Sequence, residues 1–493
     1  MTFSTATDSL RSKTLHALSW SLVESIAVRG VQFVTGIVLA RLLLPEQFGL
    51  IGMLTIFMAV AHTFVSSGFG AALIQKRDAT LTDTWSIFYF NIVVALAVAG
   101  LLCLVAPYIA AFYHQPILTP LTRALSLTIV INAFGLIQGT TLTKEINFKT
   151  QTKVSLIAGA LSGSIGVTLA AKGFGVWSLV VQQISGSVLC TILLWLMTPW
   201  RPVLTFSLKS LREMFSFGSR VLASGILNHI FDNLYSLVIG KLFSPTDLGY
   251  FTRSYTLADT PAQTLGGVVG RVTFPVFSTI QDDPVRLKRG MKRALAILAL
   301  VNFPMMIGLA VVARPLVLVL LTEKWAPSIP YLQLLCLAWL LFPINMINLS
   351  ILTASGRSDL FLRLEIIKKV LIIVNIAVTW RWGISAMICG IIVMSIISYY
   401  LNSYYTGDLI GYPIREQLCD SSSYAIMAVL MGMAVFGAGL LPFSSNWSML
   451  SVQIAVGVVI YVGLCRLFRL ATFMEIWQAG WNNMSFVRAE TAR

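Results

Sequence analysis

A chain of 493 residues that is 57% hydrophobic and 11% charged lies far below the roughly 25% charged content of soluble domains, so water is not its principal solvent. Its formal net charge of +15 would point to nucleic acid in a soluble protein. Here the basic residues sit in short connections between apolar runs, which assigns them to membrane orientation and gives no nucleic-acid partner.

An apolar segment of about 20 residues spans the hydrocarbon core as a helix. Such segments recur from Thr14 almost to Leu470 and leave no room for a soluble catalytic domain. The polar start, Met1 to Lys13, leads into a first run that carries Glu24 and Arg29 and has no small-residue cleavage pattern. That run is expected to stay as an anchor and not to be removed as a signal peptide. Spans follow at 14–43, 47–69, 81–105, 117–140, 150–171, 175–197, 212–243, 248–273, 288–312, 328–353, 360–380, 384–405, 422–442 and 447–469. The expected fold is therefore an all-α polytopic membrane protein of about fourteen transmembrane helices.

Most Lys and Arg residues fall on one side of this arrangement, among them Lys76, Lys144, Lys209, Lys292, Lys368 and Lys369, so both termini are expected to be cytoplasmic in a bacterial inner membrane. Two stretches between spans, 106–116 and 313–327, are expected to lie along the opposite interface as short amphipathic helices. Trp200, Trp380, Trp382, Tyr399 and Tyr400 at span ends fit an aromatic interface belt.

The chain repeats itself. Ala40-Arg41-Leu42-Leu43-Leu44-Pro45-Glu46-Gln47-Phe48-Gly49 returns as Gly240-Lys241-Leu242-Phe243-Ser244-Pro245-Thr246-Asp247-Leu248-Gly249. Thr143 falls opposite Thr353, and Gly175-Val176 opposite Gly383-Ile384. Six spans per repeat return the chain to its starting side, which predicts parallel, pseudo-symmetric lobes with a substrate path between them. The expected divisions are an N-lobe over 1–200, a C-lobe over 201–410, two further helices over 411–470 and a cytoplasmic tail over 471–493. Two such bundles in one chain suit alternating access better than a channel.

Charges inside a membrane cost roughly 2.5–3.5 kcal/mol each on insertion scales, which makes each one a functional candidate. In the first span these are Glu24 and Arg29, with Gln32 nearby. In the seventh, Asn228 and Asp232 share a face one turn apart, beside His229. The repeat sets Arg29 opposite His229 and Gln32 opposite Asp232. The eighth span holds Arg253, Asp259 and Arg271 around Pro261 and three glycines, so its backbone can bend between two guanidiniums. The planar donor fork of arginine suits phosphate, whereas snorkelling to the interfaces is the competing role for Arg253 and Arg271. Glu24, Asp232 and Asp259 either carry H⁺ or Na⁺ or balance nearby arginines. His62 is expected to be packed and hydrogen-bonded.

Several chemistries are missing from the sequence. No Walker-type loop, zinc-protease motif or nucleophile elbow occurs, and no enzyme activity, metal or cofactor is expected. The six cysteines stand singly, in a spacing that supports neither disulfides nor metal ligation.

Four stretches carry a resemblance: Val38-Leu39-Ala40-Arg41 through Phe48-Gly49-Leu50; Leu73-Ile74-Gln75-Lys76; Arg271-Val272-Thr273-Phe274-Pro275-Val276-Phe277 running on to Gln281-Asp282-Asp283; and Glu323-Lys324-Trp325 with Pro330 and Leu332-Gln333-Leu334-Leu335-Cys336. Through these the chain to about Leu470 resembles the Wzx-type oligosaccharide flippases of the multidrug/oligosaccharidyl-lipid/polysaccharide exporter superfamily, in the colanic-acid-type branch. The resemblance implies a two-lobed bundle of fourteen helices that moves an undecaprenyl-pyrophosphate-linked repeat unit across the inner membrane for exopolysaccharide, capsule or O-antigen synthesis. It also implies a cationic cavity, with Arg29, Arg253 and Arg271 as its candidates, and polysaccharide polymerase machinery as a partner beside membrane lipid. The competing expectations are a cation-coupled multidrug antiporter of the same superfamily, a polysaccharide polymerase or ligase, and a scaffold for a synthesis complex.

Overall fold

A computed structural model describes residues 27–66, 69–76, 78, 80–475 and 477–478. The helices, in chain order, are α1 over 27–42, α2 Pro45–Ser66, α3 Phe69–Gln75, α4 Leu81–Tyr113, α5 Leu118–Lys144, α6 Phe148–Ala171, α7 Val176–Met197, α8 Leu208–Asp232, α9 Leu234–Leu242, α10 Pro245–Thr279, α11 Pro284–Val311, α12 Ala313–Leu320, α13 Ile329–Trp339, α14 Phe342–Ala354, α15 Ser358–Thr379, α16 Ile384–Ile410, α17 Ile414–Gly439 and α18 Asn446–Leu467. Short 3₁₀ turns cover Glu323–Ser328 and Trp380–Trp382. No strand occurs among the described residues. Ten helical stretches among them are long and apolar enough to cross a membrane. The expected all-α, multi-spanning fold is observed.

Prolines that ought to stop helices are absorbed by neighbouring side chains. The expected end of the third span near Val105 is wrong: α4 runs on through Pro107 to Tyr113 as one helix of 33 residues, about 50 Å at 1.5 Å per residue. Proline at 107 removes the N–H that would bond the Cys103 carbonyl, and Arg123 Nε from α5 donates to that oxygen instead, at 3.4 Å. In α11, Pro304 frees the carbonyl of Leu300 in the same way, and the Tyr461 hydroxyl of α18 donates to it at 2.8 Å. Between α13 and α14 the backbone does break. There Asn302 Nδ2 donates to the carbonyls of Trp339 at 3.4 Å and Leu340 at 2.7 Å. Each repair keeps a polar backbone group paired where no water is available to do so.

The expected single span 212–243 is two helices, α8 and α9, divided at Asn233, whose Nδ2 donates to the His229 carbonyl at 2.8 Å. The stretch 313–327 is a separate short helix and turn, as expected, with Ala313, Pro315, Val317 and Val319 of α12 buried. Tyr399 is not an interface residue: it is 3% exposed within the core shared by α11, α14, α16, α17 and α18.

The chain forms two compact units, Met1–Thr252 and Arg253–Arg493, and the division falls inside α10. In the first, α4 packs on α5, and α6 on α7. Phe69, Leu73, Phe88, Ile137 and Met214 form one of its cores. In the second, α11 packs along α17, which packs in turn on α18. A buried amide network fastens α14, α16 and α17. Asn348 Nδ2 donates to Gln417 Oε1 at 3.2 Å, Ser403 Oγ donates to the same oxygen at 3.2 Å, and Asn402 Nδ2 donates to Asn345 Oδ1 at 3.0 Å.

The sequence repeat is also a structural one. In both copies a helix ends, two residues are non-helical, and a new helix starts at the proline, Pro45 or Pro245. Gln47 Oε1 accepts from Leu44 N at 3.0 Å. The matching Asp247 Oδ2 accepts from Ser244 N at 3.3 Å and from Ser244 Oγ at 2.6 Å. The α5–α6 and α14–α15 turns match in the same way: Asn147 N bonds the Leu142 carbonyl at 2.9 Å, and Arg357 N the Leu352 carbonyl at 3.0 Å. The left-handed position in these turns is Ile146 (φ 58°) in one copy and Gly356 (φ 72°) in the other. The two proline turns touch each other within the first unit. A Cβ on Gly49 would lie 1.6 Å from the Pro245 carbonyl oxygen, and one on Gly249 would lie 2.0 Å from that of Pro45. Only glycine permits so close a reciprocal approach of two backbones.

Candidate functional site

In the first unit, the polar residues of α1 and α8 are set by how those helices pack. Helix α6 lies against α1 through small residues: a Cβ on Gly163 would be 2.7 Å from Thr35 Oγ1, and one on Gly159 would be 3.7 Å from Val31. At 100° per residue, Arg29 lies about 140° around α1 from that contact. It is exposed, as is Gln32 one turn along. Glu24 lies outside the described residues.

Helix α8 buries Ser210, Leu211, Met214 and Gly218 against the helices of its unit. Asp232 is 18 residues beyond Met214, about five full turns, and so continues that same inward stripe. Asn228 and His229 flank it, and all three are exposed. The stripe is thus buried along half of α8 and becomes polar and exposed at its end, and α1 contributes Arg29 and Gln32 to the same unit.

In α10, Phe251, Ser254, Ala258 and Ala262 form the buried stripe at 0–2% exposure. Arg253 and Arg271, also 18 residues apart, share one azimuth on roughly the opposite face. Arg253 is half-buried and Arg271 exposed, and Asp259, half-buried, points sideways between them. The two guanidiniums stand about 27 Å apart along the helix at 1.5 Å per residue, so no single pyrophosphate touches both.

Sequence reasoning missed a charged cluster in α15. Lys368 and Lys369 had been placed with the cytoplasmic connections. They lie near the middle of this 22-residue helix with side chains 13% and 14% exposed. Glu365 lies between them, bonded to Lys368 Nζ and 3.8 Å from Lys369 Nζ. Leu362, Ile366, Val370, Ile373 and Val374 are all at least half exposed on the other side of the helix. The two lysines are thus sheltered while the apolar face is exposed. A count of helical azimuths over 358–379 would have revealed the split, which the count of basic residues by loop concealed.

Further charges pin helix ends. Lys76 Nζ lies 2.9 Å from Asp83 Oδ2 and 3.1 Å from Glu213 Oε2, and the Asp83 hydrogen bond holds the Lys76 ammonium above the ordinary lysine pKa. Lys292 Nζ lies 2.5 Å from Glu416 Oε1 and 3.2 Å from Asp420 Oδ2, while the Tyr412 hydroxyl donates to Asp420 at 2.7 Å. His62 is hydrogen-bonded to Thr128 Oγ1 at 3.3 Å, as expected. Among the described residues no three His, Cys, Asp or Glu side chains gather as metal ligands. The arrangement offers fixed charges and uncharged hydrogen-bonding groups, which suits binding and release of a charged, hydrated cargo.

Residues 38–330 match the family described as polysaccharide biosynthesis protein. The chain belongs to this family. Members similar to it along most of their length include the lipopolysaccharide biosynthesis protein WzxC of Escherichia coli K12, 28% identical over 460 residues that cover 92% of this chain and 89% of the relative. The teichuronic acid biosynthesis protein TuaB of Bacillus subtilis is 26% identical over 463 residues, covering 92% and 96%. Among solved structures, the fold of this polysaccharide biosynthesis protein is that of the lipid II flippase MurJ in an inward closed conformation, with a TM-score of 0.72, 14% identity, and coverage of 93% and 98%. An inward-facing multidrug transporter of the MATE family matches at a TM-score of 0.61 with 15% identity, covering 78% and 95%.

Proposed function

We propose that this protein is a flippase of the Wzx type, which carries an undecaprenyl-pyrophosphate-linked oligosaccharide repeat unit from the cytoplasmic to the periplasmic leaflet of the bacterial inner membrane by alternating access. The observation that carries this reading is near-full-length similarity to proteins named for the biosynthesis of chemically different surface polymers, lipopolysaccharide and teichuronic acid. A third relative, 28% identical over 333 residues, is named a succinoglycan biosynthesis transport protein. What such pathways share is movement of a lipid-linked intermediate, and the fold is that of a lipid II flippase.

The embedded charges give that movement a physical basis. A pyrophosphate leaving water needs donors that stay charged, and arginine supplies them in a planar fork. Arg29, Arg253 and Arg271 serve as phosphate contacts, and the separation of the last two along α10 makes them successive stations. Lys368 and Lys369 add positive charge deep in the second unit. Asp232 and Asp259, with Glu24, balance these cations and bind the coupling H⁺ or Na⁺. Six spans on each side, within 1–200 and 201–410, form the moving lobes. The excess of basic residues on one side puts both termini in the cytoplasm, where the polymerase machinery's lipid-linked precursor is made.

The test is to follow lipid-linked repeat units in a strain deleted for this gene. Cytoplasm-facing intermediates accumulate and wild-type protein clears them. Normal glycan export in the deletion strain, together with raised sensitivity to cationic drugs, would replace this reading with drug export.

A further inference from the structure

The first unit contains an open cavity of about 470 Å³ lined by α3, α5, α6 and α7, within the range of roughly 300–1,000 Å³ typical of small-ligand sites. None of the charged residues discussed above lines it. Its polar lining is uncharged and includes Asn132, Thr140, Thr143, Gln151 and Thr191. The threonine hydroxyls spend their protons inside the protein: Thr140 on the Leu136 carbonyl at 2.8 Å, Thr143 on that of Gly139 at 3.0 Å, and Thr191 on that of Ile131 at 3.1 Å. Their oxygens remain able to accept, Gln151 Nε2 already uses Thr143 Oγ1 at 3.2 Å, and the Asn132 amide supplies both donor and acceptor.

Three glycines, Gly70, Gly135 and Gly139, complete the wall. A Cβ on Gly139 would meet nothing within 4 Å, so the space at that point exists because a side chain is missing. Ile74, Leu136 and Leu194 also line the cavity, so its wall mixes apolar side chains with uncharged hydrogen-bonding groups, and an acyl chain would leave the latter unused. They match a sugar ring, which has hydroxyls that both donate and accept around its edge and C–H groups on its faces. The volume exceeds one ring.

We propose that this cavity is a glycan subsite, which holds uncharged sugars of the lipid-linked substrate while the pyrophosphate engages the arginines elsewhere. The proposal rests on the flippase reading and deepens it by locating the part of the protein that senses glycan length and identity.

Gly139→Leu places a side chain in the cavity from a position where a Cβ would meet nothing within 4 Å, and Gly100→Leu, equally open at its Cβ on α4, controls for the substitution itself. Each is returned to the deletion strain, and flipping is followed for the complete repeat unit and for an intermediate bearing its first sugar only. The expected result is a loss of at least tenfold for the complete unit in Gly139→Leu, with the single-sugar lipid moved as in wild type and Gly100→Leu unaffected. Full activity of Gly139→Leu on the complete unit, or equal loss of both substrates, overturns the subsite. If wild type itself moves neither lipid, the flippase reading fails and the subsite with it.

Cys190, which lines the cavity, gives a second readout. In nanodiscs of bacterial polar lipid, a variant that keeps only this cysteine is exposed to a charged maleimide. Reaction that is slowed by extracted lipid-linked repeat unit is expected. Failure to react marks a cavity filled by bilayer lipid, and reaction unaffected by the repeat unit marks a watery space without a glycan role. Either one overturns the proposal.

Discussion

Replacing Gly49 by alanine tests the reciprocal contact of the two proline turns. The added Cβ would sit 1.6 Å from the Pro245 carbonyl oxygen and 2.5 Å from its carbon, so the backbones must part by more than 1 Å, since contacts under 3.0 Å essentially never occur. Neither partner is a flexible side chain that can swing away. Overpacking of this kind costs about 1–3 kcal/mol and occasionally more, against a gain of up to ~1 kcal/mol from replacing glycine in a helix. The net expectation is a loss of about 2 kcal/mol. Thermal unfolding of purified protein in detergent should register this as a fall of about 2 °C, at roughly 1 °C per kcal/mol for a chain of this length. Gly249→Ala, at 2.0 Å from the Pro45 oxygen, should behave alike, whereas Gly100→Ala should be neutral or stabilising. A Gly49→Ala protein that melts with wild type and transports normally would refute the contact.

Other outcomes follow from individual interactions. Asp83→Asn removes the carboxylate that pairs with Lys76 at 2.9 Å and should cost about 1–3 kcal/mol, the range for a buried polar group left badly matched. In wild type that contribution is full at neutral pH and fades at both extremes, as alkali deprotonates Lys76 above its ordinary pKa and as acid protonates Asp83, held at about 2, below the ordinary carboxylate range; Asp83→Asn should abolish both dependences in a melting-against-pH series. Ile146→Gly relieves a β-branched residue at φ 58° and should stabilise by about 1 kcal/mol, because the left-handed region costs such residues roughly 1–2 kcal/mol. A melting temperature unchanged or lowered would contradict the turn geometry. Lys368→Ala leaves Glu365 with one ammonium partner instead of two, and should cut export of the lipid-linked unit at least tenfold while expression and membrane insertion stay normal.

Much of this fold was legible because spacing and hydropathy decide membrane helices almost alone. The Pro45–Gly49 and Pro245–Gly249 turns were visible as a repeat, and both adopt the same cap and helix start. What was illegible depended on partners distant in sequence. Pro107 reads as a stop, and only the donation from Arg123 to Cys103 makes the longer helix tolerable. Asn233 reads as one more polar residue of a single span, yet α8 ends there. At the candidate site, Asp232 continues the azimuth of Met214 five turns earlier, which sequence alone did not reveal as buried. Lys368 and Lys369 were counted as orienting charge because basic residues near a span end usually are. Their position in mid-helix, with side chains only 13% and 14% exposed, gives them the other meaning. The cavity around Gly139 left no trace in the sequence, since an empty volume is defined by four helices at once.

The most direct test of the central claim is transport by purified protein. Wild type and Arg29→Ala are reconstituted in separate liposomes loaded with extracted lipid-linked repeat unit, and the fraction exposed to an added glycan-modifying reagent is followed in time. Wild type should bring the sequestered fraction to the outer face far faster than empty liposomes, and Arg29→Ala should do so at least tenfold more slowly than wild type. Wild-type liposomes that expose the substrate no faster than empty ones would contradict the assignment as a flippase. Equal rates for the two proteins would remove Arg29 from the site.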